Sequence, residues 1–250
     1  MSDFKELKYF LLIVGSSRSG STLVGAIIDA HPCAIIANET RASAVFWNGL
    51  GRQAILQEIL INSDQNRAAG NLSEGYSYAI KGISLKQNQA ITVMGDKVWN
   101  PATLLMHGDY SLLPRIEQLI GVPVKIIHAI RNPFDVIATM HTRSGAAVSD
   151  RIRWYFMHCD AMSAIRNRWR RPHSMDIHHE DLIESPDNVI TALCDFLELN
   201  PDPEYITACK DRIFSKPKKT RSDIIWNNKD KANITVRMSQ HDFLSRYLAR

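Results

Sequence analysis

The 250-residue chain is 45% hydrophobic and carries 30 Lys and Arg against 26 Asp and Glu, a formal net charge of +4. This length and composition suit one α/β domain with a substantial core and exclude a disordered chain. The mild basic balance falls far short of a general nucleic-acid binder, yet it suits a small polyanion if the excess gathers in one cleft.

The first element is the apolar run Tyr9–Val14, too short for a membrane span and followed at once by Gly15-Ser16-Ser17-Arg18-Ser19-Gly20-Ser21, so it reads as a buried strand ending in a turn. Residues 22–30 carry apolar positions at helical spacing and stop at His31-Pro32, and residues 34–37 form a second short apolar run. Thr40 is placed to cap a helix through residues 42–61, and the polar stretch 62–77 reads as a surface loop. Residues 91–94 predict a strand ending at Gly95-Asp96-Lys97, and residues 112–120 a helix leading into the strongest strand, 124–130. Arg131-Asn132-Pro133 then opens a helix that residues 136–140 continue, since proline suits a first helical turn. A long helix over 150–169 places Ile152, Phe156, Cys159 and Met162 to one side, residues 175–178 predict a last strand, and 185–197 a further helix. The tail 215–231 is basic and polar, and residues 243–248 predict a short closing helix.

Strands alternate with helices throughout, which predicts a three-layer, P-loop-like α/β fold: a central, mostly parallel sheet flanked by helices, as a single domain over 1–250. Ligands of such sheets bind beyond the C-terminal ends of the strands, so the loops after the strands carry the function. Cys33, Cys159, Cys194 and Cys209 form no CxxC pair and no metal-ligand spacing, so they read as free thiols of a reducing compartment, with neither disulfide nor zinc site. No apolar stretch approaches the roughly 18 residues of a spanning helix. The expectation is a soluble, cytoplasmic protein with neither membrane nor nucleic acid among its partners.

Two segments carry chemistry. The loop from Gly15 to Thr22 ends a strand and opens a helix, so its backbone N–H groups and the helix dipole converge on a spot suited to an anion. Its spacing copies the phosphate-binding GxxxxGK[ST], but Ser21 stands where the lysine belongs, which argues against an ATP-dependent kinase. Arg18 adds a guanidinium able to grip a phosphate oxygen and neutralise a leaving group. In the second segment, Arg131 ends a strand and Thr139 lies two turns into the next helix, a pair placed to hold a second phosphate. Taken singly, each segment has a plain structural alternative, a Gly/Ser connector or a surface Arg with a helical Thr bonded to its own backbone.

Together, the Arg18–Thr22 run RSGST and the Arg131–Asp135 run RNPFD resemble the signature of sulfotransferases that use 3′-phosphoadenosine 5′-phosphosulfate (PAPS). The likeness spans residues 9–199, including His178-His179-Glu180-Asp181-Leu182, similar to an EDL segment after a late strand; the last fifty residues match weakly. Arg18, in place of a common lysine, and Asn38-Glu39-Thr40-Arg41 are most similar to the tyrosylprotein and carbohydrate branches. The resemblance implies PAPS as co-substrate, no metal, and transfer of a sulfuryl group to a hydroxyl of a peptide tyrosine, a glycan or a small molecule. It implies Glu39 as catalytic base, Lys97 as the lysine acting on the transition state, Arg18 at the leaving group, and Ser222 near a catalytic serine. Ser19, Gly20, Ser21 and Thr22, with Arg18, would hold the 5′-phosphosulfate, and Arg131 and Thr139 the 3′-phosphate. Thr139 replaces the family's usual serine, and His179 replaces a tyrosine that stacks near adenine. The basic tail over 215–250 would fold across the nucleotide, with Arg221, Ser222 or Arg237 reaching the 3′-phosphate. His31, His107, His128 and His141 rank below Glu39 as bases, and a nucleotide kinase or a non-catalytic nucleotide-binding module stand as the alternatives.

Overall fold

The computed structural model describes residues 4–40, 49–73, 75–80, 89–169 and 173–248. Five parallel strands form one sheet: β1 (Tyr9–Val14), β2 (Ala34–Asn38), a strand at Val93–Lys97, a strand at Val124–Ile130 and a strand at Ser174–His178. Two short antiparallel strands, β3 (Leu72–Ser73) and β4 (Tyr76–Ser77), form a separate hairpin, so the remaining sheet strands are β5, β6 and β7 in chain order. The sheet order is β2-β5-β1-β6-β7, as expected for a parallel sheet covered on both faces.

Alternation along the strands divides the core. Phe10, Leu12, Val14, Met94, Ile126 and Ile130 face helices α2 (Arg52–Ala68), α4 (Leu112–Ile120), α5 (Pro133–Ser144) and α6 (Val148–Arg168). Leu11, Ile13, Ile36, Ile127 and Ile177 face α1 (Ser21–Asp29) and α8 (Pro186–Leu197). The short helices α3 (Pro101–Gly108) and α7 (His179–Glu184) lie between these, and α9 (Pro203–Lys210), a 3-10 turn at Thr220–Ser222, α10 (Asn228–Met238) and a second 3-10 turn at Asp242–Tyr247 complete the chain. β5 and β1 lie so close that a Cβ at Gly95 would stand 2.0 Å from the Leu11 carbonyl oxygen.

Several sequence expectations change. The helix expected through 42–61 begins at Arg52 within the described residues and runs on to Ala68; residues 41–48, including Arg41, lie outside them. The Thr40 N–H and hydroxyl both donate to Asp96, and the helix start that Thr40 was expected to cap lies outside the described residues. The stretch 62–77 is helix end and hairpin because its polar side chains are anchored: Ser63 Oγ donates to Asp29 at 2.8 Å, and Arg67 makes two bonds to the same carboxylate at 2.8 and 2.9 Å. Gly95-Asp96-Lys97 belongs to β5, which carries its pairing through to Lys97. The closing segment is a 3-10 turn starting at Asp242, and α3, α9 and α10 were not expected. Cys159, Cys194 and Cys209 are buried free thiols and Cys33 is half-buried. Among the described residues no helix is long and apolar enough to cross a membrane.

Candidate active site

The C-terminal ends of β1, β2, β5, β6 and β7 open on one side of the sheet, and a cleft of about 530 Å³ lies across them. The loop after β1 forms its floor. At Gly15 a Cβ would come within 2.6 Å of Ser19 Oγ and 2.7 Å of the Ala129 carbonyl, so only glycine lets the loop fold down against β6. Arg18 and Gly20 take left-handed backbone conformations, φ +74° and +94°, which turn the chain into α1. α1 begins after Gly20, which has no side chain to cap it, and carries no acidic residue in its first turn. Gly20, Ser21 and Thr22 line the cleft, so the helix start presents unsatisfied donors and a positive dipole end to it.

Glu39 comes directly after β2 with φ +53°, a strained conformation for a residue with a side chain. Its N–H donates to the Lys97 carbonyl at 2.8 Å, and its carboxylate accepts from Lys97 Nζ. The β2–β5 register pairs Asn38 with Lys97, which places this ion pair at the sheet edge. Ser17 and Asn100, bonded to each other, complete this end of the cleft.

At the opposite end, β6 delivers Arg131 and α5 delivers Thr139. Asn132 caps α5 by accepting from Phe134 N at 3.0 Å, and Pro133 takes the first turn. Arg131 is 9% exposed and donates to the carbonyls of Arg18 (3.3 Å) and Lys218, which ties the phosphate loop to the basic tail. Burial lowers the pKa of Arg131 from its ordinary value, and burial followed by the nearby Arg143 charge lowers that of Arg18. Both retain their charge, since an arginine starts far above neutral pH. Thr139 donates to the Asp135 carbonyl at 2.7 Å and shares a 2.8 Å bond with the Thr220 hydroxyl. Arg221 lies just outside the cleft lining: its N–H bonds Asp135 Oδ1 at 2.7 Å and its guanidinium sits 3.5 Å from Oδ2.

His179 opens α7 beside the loop, and its buried Nδ1 faces the Gly20 backbone. Burial, with the Arg131 charge, pushes its pKa down to about 4, so the ring is neutral at neutral pH. Ser19 is buried beneath the loop with its hydroxyl unsatisfied and does not line the cleft. Ser222 is exposed, its hydroxyl donating to the Lys219 carbonyl at 2.8 Å, while its neighbour Asp223 does line the cleft. His31, His107, His128 and His141 do not line it; His128 stands 3.4 Å from Asp176 in the core.

Lys216, Lys218 and Thr220 enter the cleft from the basic tail that was expected to cross the nucleotide. The cleft also holds residues the sequence did not single out: Arg143 from the end of α5, and Tyr76, Tyr78 and Phe214 from the hairpin and the segment after α9. Tyr76 and Phe214 pack edge to face with ring centroids 6.4 Å apart. The lysines stood in a recognisable basic run, whereas nothing in the sequence brings a hairpin at 72–77 to the phosphate loop.

Residues 10–249 match the sulfotransferase domain family, and the chain belongs to that family. It is thus a PAPS-dependent enzyme that transfers a sulfuryl group to a hydroxyl acceptor, which replaces the kinase and binding-module alternatives. No curated protein sequence matches the chain. In fold it is similar to the sulfotransferase domain from the curacin biosynthetic pathway (17% identity, 94% of this chain and 98% of that one, TM-score 0.54). It is also similar to sulfotransferase STF9 from Mycobacterium avium (10% identity, 94% and 77%, TM-score 0.52). A third likeness is to a sulfotransferase from Alicyclobacillus acidocaldarius (17% identity, 96% and 95%, TM-score 0.50).

Proposed function

We propose that the cleft binds PAPS between the phosphate loop and the tail, and that Glu39 takes the proton from the attacking hydroxyl while Arg18 and Lys97 neutralise the charge that grows on the departing 5′-phosphate. Sulfuryl transfer asks a protein for alignment and charge stabilisation more than for covalent chemistry, and the donors of the loop and α1 serve that need. The transferred group carries less charge than a γ-phosphoryl, so the scheme needs no metal. Arg131, Thr139 and Arg221 hold the 3′-phosphate, His179 lies beside the adenine as a neutral ring, and the tail carrying Lys218 to Asp223, Ser222 included, closes over the nucleotide. The observation that carries this reading is the Glu39–Lys97 ion pair at the rim of the anion cradle: one base and one acid, already in contact, beside the place this reading gives the sulfuryl group.

The acceptor end is walled by Tyr76, Tyr78 and Phe214, and the Arg18 loop with Glu39 favours an acceptor of the tyrosylprotein or carbohydrate branch. We place the enzyme in the cytoplasm, acting as one domain. The test is calorimetric titration with 3′-phosphoadenosine 5′-phosphate (PAP) beside AMP and ATP, together with labelled PAPS offered to phenols, sugars and tyrosyl peptides. PAP binding well ahead of AMP and ATP, with transfer that disappears in Glu39→Gln while PAP binding persists, is expected. Equal binding of the three nucleotides, or a Glu39→Gln enzyme as active as the parent, would overturn the reading.

A further inference from the structure

Asp96 has no place in the chemistry above, yet it is a buried carboxyl one residue from Lys97. Successive side chains of β5 leave on opposite faces. Lys97 turns toward α1, its Cβ position 3.4 Å from where a Cβ on Gly25 would lie, and Asp96 turns to the other face, 1% exposed. The chain leaving β2 crosses the strand ends between them. Glu39 bends it through a left-handed conformation, and the next residue, Thr40, gives both of its donors to Asp96: N–H to Oδ1 at 3.3 Å and hydroxyl to Oδ2 at 2.6 Å. Glu39 is therefore gripped from both sides. Its own N–H and carboxylate are held by Lys97, and its successor is held by Asp96.

A left-handed glutamate persists only where its surroundings over-determine it. Lys97 alone does not do so: its carbonyl fixes only the Glu39 N–H, and its ammonium, on a four-carbon stem, tracks the carboxylate wherever it moves. The rigid element is the Asp96–Thr40 pair, two short side chains with both carboxylate oxygens engaged and no solvent to compete.

We propose that Asp96, acting through Thr40, is a positioning residue that sets the backbone conformation of Glu39 and so aims its carboxylate at the acceptor hydroxyl. This rests on Glu39 being the base of the proposed reaction. Asp96 touches neither substrate, so its loss leaves donor binding alone and lowers turnover.

The test compares Thr40→Val, which keeps the shape and removes the hydroxyl, Thr40→Ser, which restores it, and Asp96→Asn. Each is read in three ways: PAP affinity, turnover of PAPS with the phenol, sugar and tyrosyl-peptide panel, and the ¹⁵Nζ resonance of Lys97, which reports its pairing with Glu39 and needs no acceptor. Thr40→Val is expected to lower turnover by about tenfold to a hundredfold, the cost of misplacing a reacting group by about 1 Å. PAP affinity should stay within about twofold, the Lys97 resonance should move, and Thr40→Ser should recover both signals. An unmoved Lys97 resonance in Thr40→Val and Asp96→Asn, or PAP affinity falling in step with turnover, would overturn the proposal. A Glu39→Gln control separates the two ideas: full activity there, with a Lys97 shift still present in Thr40→Val, removes Glu39 as base and leaves the positioning contact standing.

Discussion

The hydroxyls of Thr139 and Thr220 meet at 2.8 Å, joining the second turn of α5 to the 3-10 turn of the basic tail. Thr220 Oγ1 also lies 2.8 Å from the Asp135 carbonyl, so the two hydroxyls and that carbonyl share their protons in one buried cluster that pins the tail to the element carrying the proposed 3′-phosphate site. Thr139→Val and Thr220→Val should each cost about 1 kcal/mol of stability, and the double substitution less than their sum. Denaturant unfolding of the four proteins gives the cycle; strict additivity would mean that the two hydroxyls do not interact.

Arg131 bridges the carbonyls of Arg18 and Lys218 as a planar fork. Lysine has the charge and not the fork. Arg131→Ala is expected to weaken PAP binding by about tenfold to a hundredfold, and Arg131→Lys to recover little of it. Near-parental affinity in the lysine variant would show that charge alone suffices there.

Burial raises the Asp96 carboxyl to about 7, above its ordinary value, despite the two bonds from Thr40 and the Lys97 charge, with Glu39 adding to the rise. The folded protein keeps this proton where the unfolded chain has lost it, so the contribution of Asp96 to stability declines as pH rises from about 4 to about 7. Asp96→Asn lacks that ionisation. Its melting temperature, measured against the parent, should therefore improve between pH 5 and pH 8, and a difference that does not change with pH would contradict the assignment.

Gly20 combines φ +94° with a Cβ position only 2.5 Å from His179 Nδ1. Gly20→Ala should destabilise by about 1–3 kcal/mol from backbone strain, with a further loss from the clash. Adding His179→Ala removes the clash and leaves the strain, so the double variant should melt above Gly20→Ala alone. If it melts lower, the ring is no obstacle.

The legible and the hidden parts of the fold have the same physical origin. β1, its loop and α1 were legible because a six-residue apolar run meeting glycines leaves few structural options. Pro133 announced α5 because proline suits a first helical turn, and the structure adds a cap that the sequence reading did not name, Asn132 accepting from Phe134 N. The end of α2 was hidden because Ser63 and Arg67 bury polar atoms on Asp29 and so look like loop residues. α10 was hidden because only Ile234 and Met238 of its eleven residues are buried, too few to draw an apolar stripe. Arg18, Glu39, Lys97, Arg131 and Thr139, singled out in the sequence, line one cleft, since each lies at a strand end or near a helix start. Thr220 and Tyr76 were not found, because their neighbours in space are remote in sequence and only folding introduces them.

The cradle that begins at Arg18 is finished by the carbonyl of Lys218 and the hydroxyl of Thr220. During synthesis, the five strands, complete by His178, emerge some forty residues before the pieces that close the cleft. A chain paused at that point would hold its basic phosphate loop open, since the residues that close the cleft are still to come. On the proposed reading, nucleotide bound there would help draw the tail down.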